Sequence, residues 1–237
     1  MTYFVRVKMN ISLVPVKDLS TAKERLANVL SPHQRTSFAV AMLEDVLEAL
    51  TKSKGVDRIL IVTCDETAME LAIKMGVGVI KESEQRGESS SVDSAARICK
   101  DMEAESLLVI PLDVPLVTSE DIESILKNGS TSPSVILIPS RDRNGTNAIL
   151  KRPPDVIPSR FGHDSFRLHI KEAIKRSVSY EIQIMPNLSL DIDTPEDLAS
   201  FMAKESQTRA YKELLKWDLP EGFNLRLQNS DLESPGF

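Results

Sequence analysis

Residues Arg58–Lys81, RILIVTCDETAMELAIKMGVGVIK, decide the fold. Arg58–Thr63 is a short β-branched and apolar run, which reads as a buried strand. Glu66–Met75 follows as a helix with Gly76 as its stop, and Val77–Lys81 is the next strand. A strand, a short helix and a strand form a βαβ unit, whose crossover joins parallel strands in a right-handed sense.

The same rhythm runs outward in both directions. Upstream, Asn10–Val14 is a strand stopped by Pro15, and Ser31-Pro32-His33-Gln34 opens a long helix. Ser31 is the cap, Pro32 sits at the first helical position and Gln34 completes a capping box. Phe38, Met42, Val46 and Ala49 recur at helical spacing, and Gly55 follows the helix end. Downstream come a helix over Ser91–Met102, an apolar strand over Leu107–Pro111, a helix capped by Thr118-Ser119-Glu120-Asp121 and a strand over Val135–Pro139. The fold class is therefore α/β, with a mostly parallel central sheet flanked by helices.

After Pro139 the rhythm loosens. Ser140–Thr146 is a polar loop, Asn147–Lys151 a short strand and Arg152–Arg160 a proline-bearing loop. Ser165–Arg176 is a helix, Glu181–Met185 and Ser189–Ile192 are strands, and Thr194–Lys204 is a helix that extends towards Lys216. Residues 1–204 are expected to form one domain, and 205–237 a helix end and loose tail.

Composition narrows the function. The 237 residues are enough to bury a core without disulfide or metal staples. The net charge of −6 argues against a general nucleic-acid binder. Cys64 and Cys99 are far apart, which excludes a disulfide scaffold and suits a reducing cytoplasm. No run approaches a membrane span, and Met1–Asn10 has no signal-peptide core. A homodimer is compatible with this reading.

Open α/β sheets bind ligands beyond the carboxyl ends of their strands, and four clusters fall there. After the first strand, Lys17, Lys23 and Arg25 lie within nine residues, in a loop that can wrap a polyphosphate or be no more than solvated surface. Asp113 stands just past the apolar strand, flanked by Pro111 and Pro115, where a carboxylate can meet a divalent metal on a nucleotide. Asp191 and Asp193 share one side of an extended segment and would repel without a cation between them; magnesium is the usual partner when phosphate is present. Thr194, Pro195 and Asp197 are explained by a helix cap alone. The fourth cluster, Arg141–Asn147 with Arg160–Phe166, carries hydroxyls, glycines and arginines that suit a small anion or ordinary turns; its Gly162–Ser165 part lies at a helix N-terminus.

These clusters carry a resemblance. Val14-Pro15-Val16-Lys17, Ala22-Lys23-Glu24-Arg25-Leu26 and Leu30-Ser31-Pro32, then Asp142-Arg143-Asn144-Gly145-Thr146-Asn147-Ala148, Arg160-Phe161-Gly162 and Leu190-Asp191-Ile192-Asp193-Thr194-Pro195-Glu196-Asp197-Leu198, follow one another in order. Over roughly Met9–Phe201 the chain resembles the 2-phospho-L-lactate guanylyltransferases, the CofC-type enzymes. The resemblance implies a GT-A-like nucleotidyltransferase fold. It also implies guanylate transfer from GTP to 2-phospho-L-lactate or phosphoenolpyruvate, with release of pyrophosphate, in coenzyme F-420 biosynthesis. Carried onto this chain, Asp113, Asp191 and Asp193 would bind Mg2+, and Thr146, Gly162 and Ser165 would contact the phosphoacid. Lys17, Lys23 and Arg25 would hold the triphosphate and stabilise the departing pyrophosphate.

Ser91 and Asp93 stand where related nucleotidyltransferases carry Gly and Asn near the base. Guanine presents a ring N–H beside an exocyclic amine, a pair that a carboxylate can accept, so Glu88 or Asp93 could select it. Backbone carbonyls are the alternative, with Asp93 a dipole-favoured helix acid. Two other functions fit the layout less well. A molybdopterin or sugar-phosphate nucleotidyltransferase would usually show a glycine-rich loop after the first strand. A non-catalytic GTP-binding module would not need Asp191 and Asp193.

Overall fold

The computed structural model describes residues 9–84, 86–127 and 131–219. Its elements alternate as the sequence dictates: β1 (Asn10–Pro15), α1 (Pro32–Lys52), β2 (Arg58–Thr63), α2 (Glu66–Lys74), β3 (Gly78–Lys81), α3 (Glu88–Asp101), β4 (Ser106–Val109) and α4 (Ser119–Lys127). The second half adds β5 (Ser134–Pro139), β6 (Thr146–Arg152), α5 (Ser165–Lys175), β7 (Ser179–Ile182), α6 (Pro195–Met202) and α7 (Arg209–Leu214). The strands form one seven-stranded sheet in the order β3-β2-β1-β4-β6-β5-β7, in which β6 alone runs antiparallel to its neighbours. The mostly parallel α/β architecture is thus as expected.

Strand periodicity builds two cores. Ile11 and Leu13 of β1, Leu107 and Val109 of β4, and Val135 and Leu137 of β5 face the side covered by α3 and α5. Val14, Leu108, Ile110, Ile136 and Ile138 face the other side, covered by α1, α2, α4, α6 and α7. The caps at Ser31 and Thr194 form as reciprocal boxes, Ser31 with Gln34 and Thr194 with Asp197. No helix among the described residues is long and apolar enough to cross a membrane.

Several boundaries differ from expectation. α3 begins at Glu88 rather than Ser91, after Gly87 at a positive φ of 89°. β7 spans Ser179–Ile182, and all four of its residues are exposed, so it lacks the apolar alternation that marks a half-buried strand. Ser189–Ile192 is not a strand. Its backbone bonds to loops, with Ser189 accepting from Arg141 N–H and Ile192 donating to the Asp113 carbonyl. The last helix is broken: α6 ends at Met202, and Thr208 caps a separate α7 by accepting from Tyr211 N–H. α7 lies beyond residue 204 yet contributes Ala210 and Leu214 to the core, and Asp45 on α1 accepts from the Arg209 and Ala210 amides at 2.8 Å each. The expected tail over Asn224–Phe237 lies outside the described residues.

Candidate active site

The strand order sets where the site lies. From β1 the chain moves outward to β2 and β3, then returns to place β4 on β1's other flank. That reversal is a topological switch point, and the loops after β1 and β4 diverge there. Lys17 follows β1 and Asp113 follows β4. Because β6 is antiparallel, its first residues, Thr146 and Asn147, also start at the carboxyl ends of β4 and β5. A cleft of about 670 Å³ opens at this end of the sheet.

The cleft gathers most of the predicted residues. Lys17, Lys23 and Arg25 line it, as do Asp113, Asp191 and Asp193. Thr146, Gly162, Ser165 and Glu88 line it too. The four sequence clusters, separated by up to about 180 residues, therefore form a single site.

Lys23 sits among the acids. Its Nζ is 2.7 Å from Asp193 Oδ1 and 3.1 Å from Asp113 Oδ2, and its side chain is only 7% exposed. Its backbone is left-handed, with φ of 56°, a conformation costly for a side-chain-bearing residue and concentrated at functional sites. Burial would lower the Lys23 pKa, but the charges of Asp113 and Asp193 outweigh it and raise the pKa overall. Burial likewise works to raise the Asp193 pKa, and Lys23, Arg25 and Lys17 hold it below the usual range instead.

Among the described residues Asp191 has no such cation. Burial first, and then the Asp113 charge, push its pKa up to about 6. Its side chain accepts from Asn147, whose Nδ2 donates at 3.0 Å while also donating to the Leu188 carbonyl. Ile192 is fully buried between Asp191 and Asp193, so the expected alternation holds although no strand forms.

Thr146 and Ser165 are buried hydroxyls 3.2 Å apart. Gly162 has φ of 111°, outside the range that other residues adopt readily, and it sets the turn that leads into α5. Lys17 and Glu88 pair at 3.2 Å across the mouth, with the Lys17 side chain 58% exposed. Burial raises the Glu88 pKa, the Lys17 charge opposing it and Asp113 adding to it.

Two expectations change. Asp93 is not part of the cleft lining. It faces the other way, accepting from Ser159 N–H at 2.8 Å and lying 3.7 Å from the buried Lys151 Nζ. Of the two acids expected near the base, only Glu88 lines the cleft. The three aspartates share one wall, but among the described residues they do not form a ready three-ligand metal set; Lys23 stands between two of them. Sequence reasoning placed Asn147 in the fourth cluster without its role of fixing Asp191, and it gave no role to His169, which is buried behind Thr146.

The comparisons with known proteins agree with this geometry. Residues 9–228 match the family described as "Guanylyl transferase CofC like". The chain belongs to this family. Among its relatives, a phosphoenolpyruvate guanylyltransferase of Rubrobacter xylanophilus is 35% identical over 81% of this chain and 93% of its own length. A 2-phospho-L-lactate guanylyltransferase of Methanothermobacter thermautotrophicus is 33% identical over 86% and 89%. A 3-phospho-D-glycerate guanylyltransferase of Colwellia psychrerythraea is 36% identical over 78% and 88%. In structure, a candidate nucleotide-diphospho-sugar transferase from Desulfovibrio desulfuricans G20 superposes with a TM-score of 0.73 at 15% identity, covering 93% of this chain and 98% of that one. CMP:2-keto-3-deoxy-manno-octonic acid synthetase superposes with a TM-score of 0.56 at 14% identity, covering 84% and 100%. As a CofC-like guanylyl transferase the chain is a nucleotidyltransferase, which removes the non-catalytic reading.

Proposed function

We propose that this cleft moves guanylate from GTP onto the phosphate of a three-carbon phosphoacid, 2-phospho-L-lactate or phosphoenolpyruvate, and releases pyrophosphate, as a step in coenzyme F-420 biosynthesis in the cytoplasm. One observation carries the reading. Cationic Lys17, Lys23 and Arg25 and the hydroxyls of Thr146 and Ser165 line a single cleft, with Asp113, Asp191 and Asp193 lining it as well. The relatives named above act on three different acceptors, and all three are three-carbon phosphomonoesters bearing a carboxylate. The acceptor class is therefore narrower than "sugar phosphate".

The chemistry needs no general base. A phosphomonoester has a second pKa of about 6 and is already nucleophilic at neutral pH. The barrier is the repulsion between two anions, so catalysis consists of alignment and charge neutralisation. Lys17 and Arg25 hold the triphosphate and stabilise the departing pyrophosphate. Thr146, Ser165 and the Gly162 turn seat the acceptor. Glu88 reads the guanine edge.

Asp191, buried and repelled by the Asp113 charge, suits a hard divalent cation such as Mg2+, and Asp113 and Asp193 would join it as Lys23 gives them up. Among the described residues Asp191 is paired with the neutral Asn147 amide, while Asp193 already holds the Lys23 charge. Asp113, Asp191 and Asp193 would hold the ion, which would supply charge neutralisation at the phosphates. The test is pyrophosphate release from GTP with 2-phospho-L-lactate, phosphoenolpyruvate and 3-phosphoglycerate in parallel, with ATP as the nucleotide control. Release with either of the first two acceptors is expected. No release with any acceptor would defeat the proposal.

A further inference from the structure

His169 lies behind the acceptor wall and touches no cleft surface, yet it decides what that wall can offer. It is fully buried on α5. Arg160 N–H donates to its Nε2 at 2.9 Å, and its Nδ1 is 3.0 Å from Thr146 Oγ1. A ring nitrogen that accepts carries no proton, so the single proton of the neutral ring sits on Nδ1. The ring is held neutral by burial first, and then by the Lys151 charge; these push its pKa down to about 3, the Ser165 carbonyl opposing them and Arg160 adding a little. The Phe161 ring packs on it edge-on, with centroids 5.2 Å apart.

The consequence follows from counting protons. Thr146 and Ser165 own one hydroxyl proton each, and the bond between the two hydroxyls uses one of them. With His169 donating to Thr146, the second proton is free to face the cleft that both residues line. If the ring carried its proton on Nε2 instead, Thr146 would have to donate to Nδ1. No hydroxyl proton would then remain for a ligand.

We propose that His169 is a positioning residue for the acceptor: as a fixed donor to Thr146, it reserves one hydroxyl proton of the Thr146–Ser165 pair for an anionic oxygen of the phosphoacid. This rests on the acceptor site proposed above. The orientation is anchored from behind. Lys151 Nζ donates to the Ser159 hydroxyl at 2.7 Å and to the Ile157 carbonyl at 3.2 Å, and Asp93 accepts from Ser159 N–H. These bonds fix the loop that presents Arg160 N–H to the ring. Asp93 and Lys151, which lie away from the reacting groups, thus support the acceptor wall at one remove.

The test has two arms. On the wild-type protein, nitrogen NMR of the histidines reads the tautomer directly; an Nδ1–H ring is expected, and an Nε2–H ring overturns the proposal. The second arm measures KM for the phosphoacid and for GTP separately. His169→Phe keeps the packing on Phe161 but removes the donor, so acceptor KM should rise about tenfold, the size of a lost hydrogen bond in a network that binds a charged group. GTP KM should stay within about twofold, a split that a general loss of structure would not produce. His169→Asn can still donate to Thr146 and should recover most of the loss. In a Thr146→Val background His169→Phe should add nothing further. If Thr146→Val raises acceptor KM while both His169 variants leave it unchanged, the proposal falls and the acceptor site stands. If Thr146→Val itself leaves acceptor KM unchanged, the acceptor site falls and takes this proposal with it. Should His169→Phe fail to fold, His169→Asn and the tautomer of the wild type still decide.

Discussion

Lys23→Met removes the one cation placed between two of the site's carboxylates. The Lys23 side chain is 7% exposed, whereas Asp113 and Asp193 are 25% and 42% exposed. Removing one partner of a buried pair typically costs about 3–5 kcal/mol, because the other charge is left uncompensated. Here solvent reaches both carboxylates and screens them, which reduces the cost to about 2–3 kcal/mol. For a chain of this size about 1 kcal/mol moves Tm by roughly 2–4 °C, so a fall of about 5–10 °C is expected. Calorimetry on wild type and variant gives this number directly. The same change strips the cleft of its most buried cation, so turnover should fall at least about a hundredfold. Added magnesium should raise the variant's Tm more than the wild type's, because Asp113 and Asp193 have lost their internal cation and gain more from an external one. An unchanged Tm together with wild-type turnover would refute the reasoning, since it would mean that the three-residue contact carries neither stability nor chemistry.

Lys17→Ala and Arg25→Ala should raise KM for GTP or lower kcat with little change in Tm, since both residues are exposed loop residues whose loss opens no core cavity; steady-state kinetics beside a melting curve checks this. Glu88→Gln should cost roughly 1–3 kcal/mol of preference for GTP over ATP in a competition assay, because an amide sets a donor against a guanine donor. Asp93→Asn should leave that preference unchanged, because Asp93 faces Lys151 and not the cleft. Burial, partly offset by Asp93, lowers the Lys151 pKa from the usual 10.5 to about 8. Between those values the unfolded chain binds more protons than the native one, so this group adds stability as pH rises from about 8 to 10.5, by about 3 kcal/mol in all. Denaturant titrations across that range should show this component in wild type, and Lys151→Met should lack it.

What the sequence made legible follows from local physics. Leu107–Ile110 is apolar throughout because β4 is covered on both faces, and an acid just past such a run lies beyond the carboxyl end of the strand, where the sheet opens to solvent. Asp191 and Asp193 were readable as a pair because Ile192 between them is drawn into the core. The capping boxes at Ser31 and Thr194 were readable because their bonds close within four residues. What was not legible depends on distant partners. The alternation over Ser189–Ile192 is real, yet the segment bonds to loops instead of to a strand. β7 carries no burial pattern and is defined only by its pairing with β5. Asp93 and Glu88 look alike in sequence, five residues apart near the start of one helix. The Ser159 N–H and the buried Lys151 behind α3 draw Asp93 away from the cleft. Lys23 was visible as a cation, but its place between Asp113 and Asp193 depends on residues 90 and 170 positions away.

The central claim concerns which phosphorus atom is attacked. GTP labelled at the α-phosphate, incubated with 2-phospho-L-lactate or phosphoenolpyruvate, follows that atom. The α-label should appear in a guanylylated phosphoacid, with one pyrophosphate released per GTP consumed. Label recovered as GDP with free orthophosphate, or GTP left intact with both acceptors, would contradict it.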